Sequence, residues 1–408
     1  MDYFKELGAR VGRRWREAEF NEASFSVIAH EELERTPGHL AIEPDDILEW
    51  VNQPHFELPS QADIEASFAN PPVTVYRGQR FYIDVNFWLD STTVIHEHGF
   101  DGAFQVLSGS SLHTAHTFRE LRRYSASVGL GEMTALPSEL LTPGSTRVIQ
   151  AGSSFSHALF HLERPSSTIV VRTVHNRSVG SQNEFFLPGL RLESFFVHPT
   201  TARNLQVASL LLATSNPRFD PWLARFLAHA DLYGTFRMLA HVAQALHDRH
   251  DLTHEQVEAQ LEPHLEAVAQ RAEWGPFVVE TVRNLEPPRV LMRARQSVHD
   301  VGQRFFLALL LNVSSAPTLL ALVEQRYPGE SAVEKVTGWV DALCGPDSPL
   351  ELELNDPSRR ALRLRLEGHP VEAIAERLSA HYGKLLPVDK VARMLGQLRD
   401  SCLLPLVS

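Results

Sequence analysis

Cysteine is nearly absent: Cys344 and Cys402 are the only two in 408 residues, and both lie late in the chain. That argues against a disulfide framework and against a cysteine-ligated metal near the histidines of the middle third. Long apolar runs are missing as well. The longest, Phe305 to Val313, falls well short of the ~20 residues that span a bilayer, and it sits in a helical pattern. Runs of like charge are absent, and the net charge is −12. A nucleic-acid or anionic-membrane surface is therefore not expected. Charges are scattered through residues 1–20 with no apolar signal segment, so a cytoplasmic protein is expected. No strong internal repeat stands out.

What is present divides by texture. Residues 1–65 read as an N-terminal helical segment that packs on a barrel: Phe4, Leu7, Val11 and Trp15 recur at helical spacing, and Pro44-Asp45-Asp46 opens a second helix over Ile47 to Val51. Residues 66–199 turn to β, with strands expected at Val73–Tyr76, Arg80–Leu89, Thr92–His98, Gly102–Gly109, Ser111–Phe118, Thr146–Gln150, Ser156–Leu162 and Thr168–Val174. Many short strands between Gly, Pro and Ser turns predict a closed antiparallel barrel or double-sheet jelly roll. Residues 200–345 read as a helical domain, including a helix start at Thr253 as N-cap with Gln256 three residues on. The cluster Cys344-Gly-Pro-Asp-Ser-Pro349 reads as a linker, and residues 346–408 form a last helical module. The expected class is thus α+β and multidomain, a β-barrel followed by an all-α half.

The stretch Thr92 to Gly109 organises the rest. It reads as strand, tight turn at Gly99 to Gly102, and strand. Side chains alternate along a strand, so His96 and His98 share a face, about 7 Å apart, a spacing at which two imidazoles can share a metal ion. His96-Glu97-His98 followed by Gly109 resembles the first metal motif of the cupin superfamily, in which a glutamate stands where this chain has Gly102 or Ala103. His157-Ala-Leu-Phe-His161 resembles the second motif, with histidine in the usual asparagine place. Three histidines without the glutamate, and the run Phe87 to His98 leading into them, are similar to the cysteine-dioxygenase-like thiol dioxygenases of that superfamily.

The resemblance implies a cupin barrel with His96, His98 and His157 as metal ligands and His161 either as an alternative ligand or as a pocket residue. Three neutral imidazoles leave open positions for substrate and dioxygen, and a carboxylate-free ferrous site keeps a full 2+ charge that attracts a thiolate or carboxylate. Fe(II) is the expected metal; Zn, Ni, Mn and Cu also suit imidazole. Gln105, Asp101 and His161 are candidates to orient the ligand rings. The family anchors its substrate through a strand arginine, which makes Arg77 and Arg80 candidates here; Arg172 is either another anchor or outward-facing. The family's serine-histidine-tyrosine run is replaced by Val170-Val-Arg-Thr-Val174, which argues against cysteine itself as substrate. His113 and His116 face opposite ways on the next strand, so at least one is expected on the surface. The histidines of the helical half, from His229 to His264, form no histidine-glutamate-x-x-histidine run and read as solvated or capping residues.

Leu354 to Leu404 resembles a winged-helix-type peptide-recognition module, with a helical packing or dimerisation domain as the alternative. Three functions are expected from these features. The leading one is an Fe(II) oxygenase acting with dioxygen on a small thiol or carboxylate, or on a peptide-borne group. The others are a non-enzymatic metal- or ligand-binding sensor or scaffold and a metal-dependent isomerase or lyase. No membrane or nucleic-acid partner is expected, and a homodimer is compatible with all three.

Overall fold

The computed structural model describes the chain except residues 54–57, 63, 65–68, 90–93, 177, 250, 251, 253, 272, 346, 347 and 351. The side chains of residues 254, 255 and 287 are also outside the description. The Thr253 N-cap and the opening of the first histidine strand at residues 92–93 lie outside the described residues.

The N-terminal stripe forms helix α1 (Asp2–Glu17), which buries Phe4, Leu7, Val11 and Trp15. Helix α2 (Glu22–Arg35) starts at Asn21, whose side chain accepts from the Ala23 N–H. Helix α3 (Pro44–Val51) begins at the expected proline, and Asp46 accepts from the Glu43 N–H at 3.4 Å.

The β region builds two antiparallel layers. Its strands are β1 (Pro72–Arg77), β2 (Phe81–Trp88), β3 (Ile95–Glu97), β4 (Gly102–Ser108), β5 (Ser111–Ser125), β6 (Val128–Ala135), β7 (Glu139–Leu141), β8 (Thr146–Ile149), β9 (Ser156–His161) and β10 (Ser166–Thr173). One layer runs β1-β2-β10-β4-β8, and the other places β3-β9-β5-β7 side by side. Alternation along the strands sorts their side chains. Val73, Val75, Ile83, Val85, Ala103, Leu107, Ile169 and Val171 face outward onto α1, α2 and α3 in one core. Phe104, Val106, Leu159 and Val170 point inward and pack with Phe100, Leu141 and Ile149 in another. Strand β2 is buried along its whole length, since helices cover one face and the opposite layer the other. Gly109 follows β4 with φ +74°, and a Cβ there would lie 2.6 Å from the Ser166 Cβ, so the turn demands glycine twice over.

The chain forms two compact units. One unit comprises Met1–Thr117, Ala135–Gly180 and Pro287–Ser408; the other comprises Phe118–Thr134 and Ser181–Glu286. Both units are discontinuous in sequence. Strand β5 runs 15 residues, to Ser125, and pairs with β6, an element without a clear sequence signal. In the second unit β6 pairs with β12 (Leu190–Glu193), which pairs with β11 (Asn183–Phe186). Val128, Leu130, Leu190 and Leu192 pack there on α4 (Pro199–Ala213), α5 (Phe219–His229), α6 (Leu232–His247), α7 (His254–Ala269) and α8 (Gly275–Arg283).

In the first unit, α9 (Glu286–Ser297), α10 (Val301–Asn312), α11 (Ala316–Arg326) and α12 (Ala332–Leu343) share a core with Leu112 and Phe160, the outward side chains of β5 and β9. Arg295 donates to the His161 carbonyl and Arg304 to the Leu162 carbonyl at 2.8 Å. Arg326 reaches Ser110 and Glu163, both at 2.9 Å. The end of β9 is thereby clamped by three guanidinium groups. Helices α13 (Asp356–Leu366), α14 (Val371–Tyr382), α15 (Val388–Arg399) and α16 (Leu404–Val407) complete the chain. No strand occurs among the described residues of 346–408, so the hairpin of a wing has no counterpart there. Among the described residues, no helix is long and apolar enough to cross a membrane.

Gln105 shows what outward placement does. It sits on β4 facing the helices: Oε1 accepts from the Gly38 N–H at 2.7 Å, and Nε2 donates to the Leu33 carbonyl at 3.1 Å and to Thr146 Oγ1 at 3.0 Å. Gln105→Leu orphans buried polar groups and is expected to cost about 2 kcal/mol or more of stability, measured by chemical denaturation, with metal content unchanged.

Candidate metal centre

His96 and His157 are direct cross-strand partners on β3 and β9. His98 follows β3, and its position is fixed by backbone: a bridge to Ala151 and a 2.8 Å hydrogen bond from the Gly152 N–H to the His98 carbonyl. The result is the convergence that strand alternation predicts for His96 and His98, with His157 added from β9. One ligand atom from each of the three lies within 4.8 Å of the others. His98 Nε2 and His157 Nε2 are 2.9 Å apart. That is the spacing of two adjacent nitrogens around one ion with metal–nitrogen bonds of ~2.1 Å. His96 Nδ1–H donates to the Val94 carbonyl at 2.8 Å, which leaves its Nε2 as the ligating atom.

Burial holds all three rings neutral. Desolvation lowers the pKa of His96 and drives those of His98 and His157 well below the usual range, with the mutual repulsion of the histidines adding to it. Neutral imidazole is the form that ligates, so the donor set fits a divalent transition metal.

The missing carboxylate has a steric cause. A Cβ on Gly102 would stand 2.2 Å from the Val171 carbonyl oxygen, so no side chain fits. Ala103 faces the outer core. Glu97 alternates to the face opposite His96 and is paired in register with Ser156. In place of a carboxylate there is a cation. Arg172 is the register partner of Gly102 on one side and of Tyr82 on the other. Its guanidinium lies 3.7 Å from the Phe100 ring centroid and 5.0 Å from that of Tyr82, and its charge contributes to lowering the His98 pKa. Arg172 therefore faces inward. Arg77, the register partner of Tyr82 from the other side, sits at the exposed rim 5.4 Å from the same ring and donates to the Ser60 carbonyl. Arg80 is exposed and lies over Phe20, away from the histidines.

The remaining wall is aromatic. Phe100 lies 4.6 Å from His98, Phe155 4.7 Å from His157 and Phe104 6.1 Å from His157, ring centroid to centroid. Asp101 staples the rim: it accepts from the Ala151 N–H at 3.1 Å and from the Asn176 amide, while its own N–H donates to Thr173 Oγ1. It supports loops rather than a ligand ring.

His161 is placed on the inner face, yet four residues along β9 from His157, ~13 Å away. It stacks on Trp88 at 4.4 Å, its Nδ1 meets Ser111 and Ser166 hydroxyls at 3.0 Å, and it is not among the converging ligands. The residue that sequence reasoning misses is His113. Rather than one of the pair being solvent-exposed, both His113 and His116 are buried, at 3% and 8% exposure. His113 Nε2 meets His157 Nδ1 at 3.0 Å, and its Nδ1 meets Glu139 at 2.8 Å. Nothing in the spacing announces this: Glu139 comes from β7, a three-residue strand with little sequence signal.

No family model matches the chain, and no curated protein matches it. Solved structures overlay part of it. A cupin-2 domain protein from Shewanella frigidimarina NCIMB 400 aligns at 14% identity over 32% of this chain and 92% of that one, TM-score 0.19. A chain from the DMSP lyases RdDddP and RnDddQII aligns at 19% identity over 43% and 96%, TM-score 0.23. The hydroquinone 1,2-dioxygenase from Sphingomonas sp. TTNP3 aligns at 13% over 26% and 68%, TM-score 0.21. At scores this low the overlays carry no argument for function.

Burial also sets an acid limit on stability. His161 is pushed down to about 3 and His116 to about 4, both chiefly by desolvation. The unfolded chain protonates these rings near pH ~6.5, so below that pH it binds more protons than the folded chain. Their contribution is therefore complete above ~6.5 and is lost as pH falls. Urea titrations of the metal-free protein should show stability declining below that pH, and His161→Gln should flatten the decline by about 1.4 kcal/mol per pH unit.

Proposed function

We propose that the chain is a mononuclear non-haem Fe(II) oxygenase acting with dioxygen on a small anionic substrate, a thiol or carboxylate, free or carried on a peptide. The observation that carries this reading is the charge of the site: three neutral imidazoles converge, Gly102 admits no carboxylate, and Arg172 stands beside that glycine. An Fe(II) ion held by His96, His98 and His157 would supply the redox chemistry and the positions at which substrate and dioxygen meet. The described residues bring no negative charge to the metal, so that the ligand must bring it. Arg172, held over Phe100, is the anchor for the anion in place of Arg77 and Arg80. Phe100, Phe104 and Phe155 exclude water around the imidazoles and strengthen both attractions.

Metal analysis followed by oxygen uptake with thiols and carboxylates tests the reading. One iron per chain, loss of iron in His96→Ala, and retained iron with at least tenfold weaker anion binding in Arg172→Met are expected. Protein without metal, or metal retained in His96→Ala, contradicts it. Turnover that needs no dioxygen would make the protein an isomerase or lyase. Bound metal with no turnover would make it a ligand-binding sensor or scaffold, a reading favoured by the absence of a tyrosine from Val170 to Val174.

A further inference from the structure

We infer that Glu139, acting through the His113 ring, is a positioning residue that sets the donor strength of His157 toward the metal, with Arg147 setting the strength of Glu139. This inference rests on the three histidines being the metal ligands. Two ring-nitrogen distances and one carboxylate define the chain of contacts: His157 Nδ1 to His113 Nε2 is 3.0 Å, and His113 Nδ1 to Glu139 Oε1 is 2.8 Å. Beyond it, Arg147 Nε donates to Glu139 Oε1 at 2.7 Å, and a second guanidinium nitrogen reaches Oε2.

The direction of every proton in this chain is set by its ends. His157 Nε2 faces His98 Nε2 at 2.9 Å and is the ligating atom. Neutral His157 therefore carries its proton on Nδ1 and donates it to His113 Nε2. His113 Nε2 accepts in that contact, so the ring proton sits on Nδ1 and is donated to Glu139. A carboxylate accepting from the last ring polarises both imidazoles and makes the ligating nitrogen more basic. The arrangement is built rather than incidental. His113 and Glu139 are register partners on β5 and β7, His113 is buried, and its ring also lies 6.1 Å from Phe104 and 6.2 Å from Phe155, in the same aromatic wall as the ligands. Glu139 stays anionic throughout, because Arg147 and His113 hold its carboxyl down to about 2.

No carboxylate joins the three histidines among the described residues; the fold delivers one two rings away. A carboxylate in direct contact would halve the net charge of a divalent ion, whereas one at this distance strengthens a ligand and leaves the ion's charge for the substrate.

The test is Co(II) titration of the metal-free full chain against a competing chelator, with wild type, Glu139→Gln and Arg147→Gln compared. Wild-type binding is the control: its failure would remove the metal-site reading, not this inference alone. Glutamine keeps the acceptor oxygen of Glu139 and removes only the charge, so affinity should fall roughly 10- to 100-fold. Arg147→Gln leaves the carboxylate without its counter-cation and should not weaken binding. The midpoint potential of the iron-loaded Glu139→Gln protein should rise, a readout that a merely structural contact would not move. Unchanged Co(II) affinity and potential in a folded Glu139→Gln overturns the inference. If that variant unfolds, His113→Gln, in which the ring chain is broken at its middle, takes its place with the same expectation.

Discussion

Everything around the centre answers to one electrostatic constraint: three imidazoles converge beside aromatic rings with no carboxylate among them in the described residues. Rings so placed stay neutral, since each protonation would put a charge in a low-dielectric interior next to two others. Neutral rings are ligands. A metal bound there keeps its full charge, and the fixed charge that acts on His98 is another cation, Arg172. Among the described residues the site is thus short of negative charge, and the anionic substrate proposed for it would complete it.

The fold meets the constraint with backbone more than with side chains. His96 and His157 face each other because β3 and β9 pair in register, and His98 is held by its own carbonyl and the Ala151 bridge. The closeness of β10 to β4 at Gly102 is what excludes the fourth ligand; the Val171 carbonyl occupies the place a Cβ would need. The same strand then presents Arg172. A single interstrand contact removes a negative charge and supplies a positive one. Behind β9, Arg295, Arg304 and Arg326 fix the strand end through the His161 and Leu162 carbonyls and Glu163, which ties helices α9 to α11 to the layer that carries His157.

Periodicity makes much of this legible in the sequence. The convergence of His96 with His98 and the α1 stripe arise from alternation and helical spacing, which local sequence encodes directly, whereas the expected tight turn at Gly99 to Gly102 is a passage from one sheet to the other. Charge partners across strands are not encoded that way. Arg77 and Arg80 are near the histidines in sequence, yet the pleat turns Arg80 to Phe20 and leaves Arg77 at the rim. Gln105 is one residue from Phe104 and therefore on the wrong face. His113, Glu139 and Arg147 meet only because β5, β7, β8 and β9 come together, and no spacing rule links them. The helices after residue 286 likewise return to cover Leu112 and Phe160, which composition cannot reveal.

The most direct measurement of the central claim is X-ray absorption spectroscopy on the iron-loaded protein without substrate. Three imidazole nitrogens at ~2.1 Å with the outer-ring scattering of histidine are predicted, and one histidine fewer in His157→Ala. A protein carboxylate bound to the iron, or a histidine count that His157→Ala leaves unchanged, would contradict it.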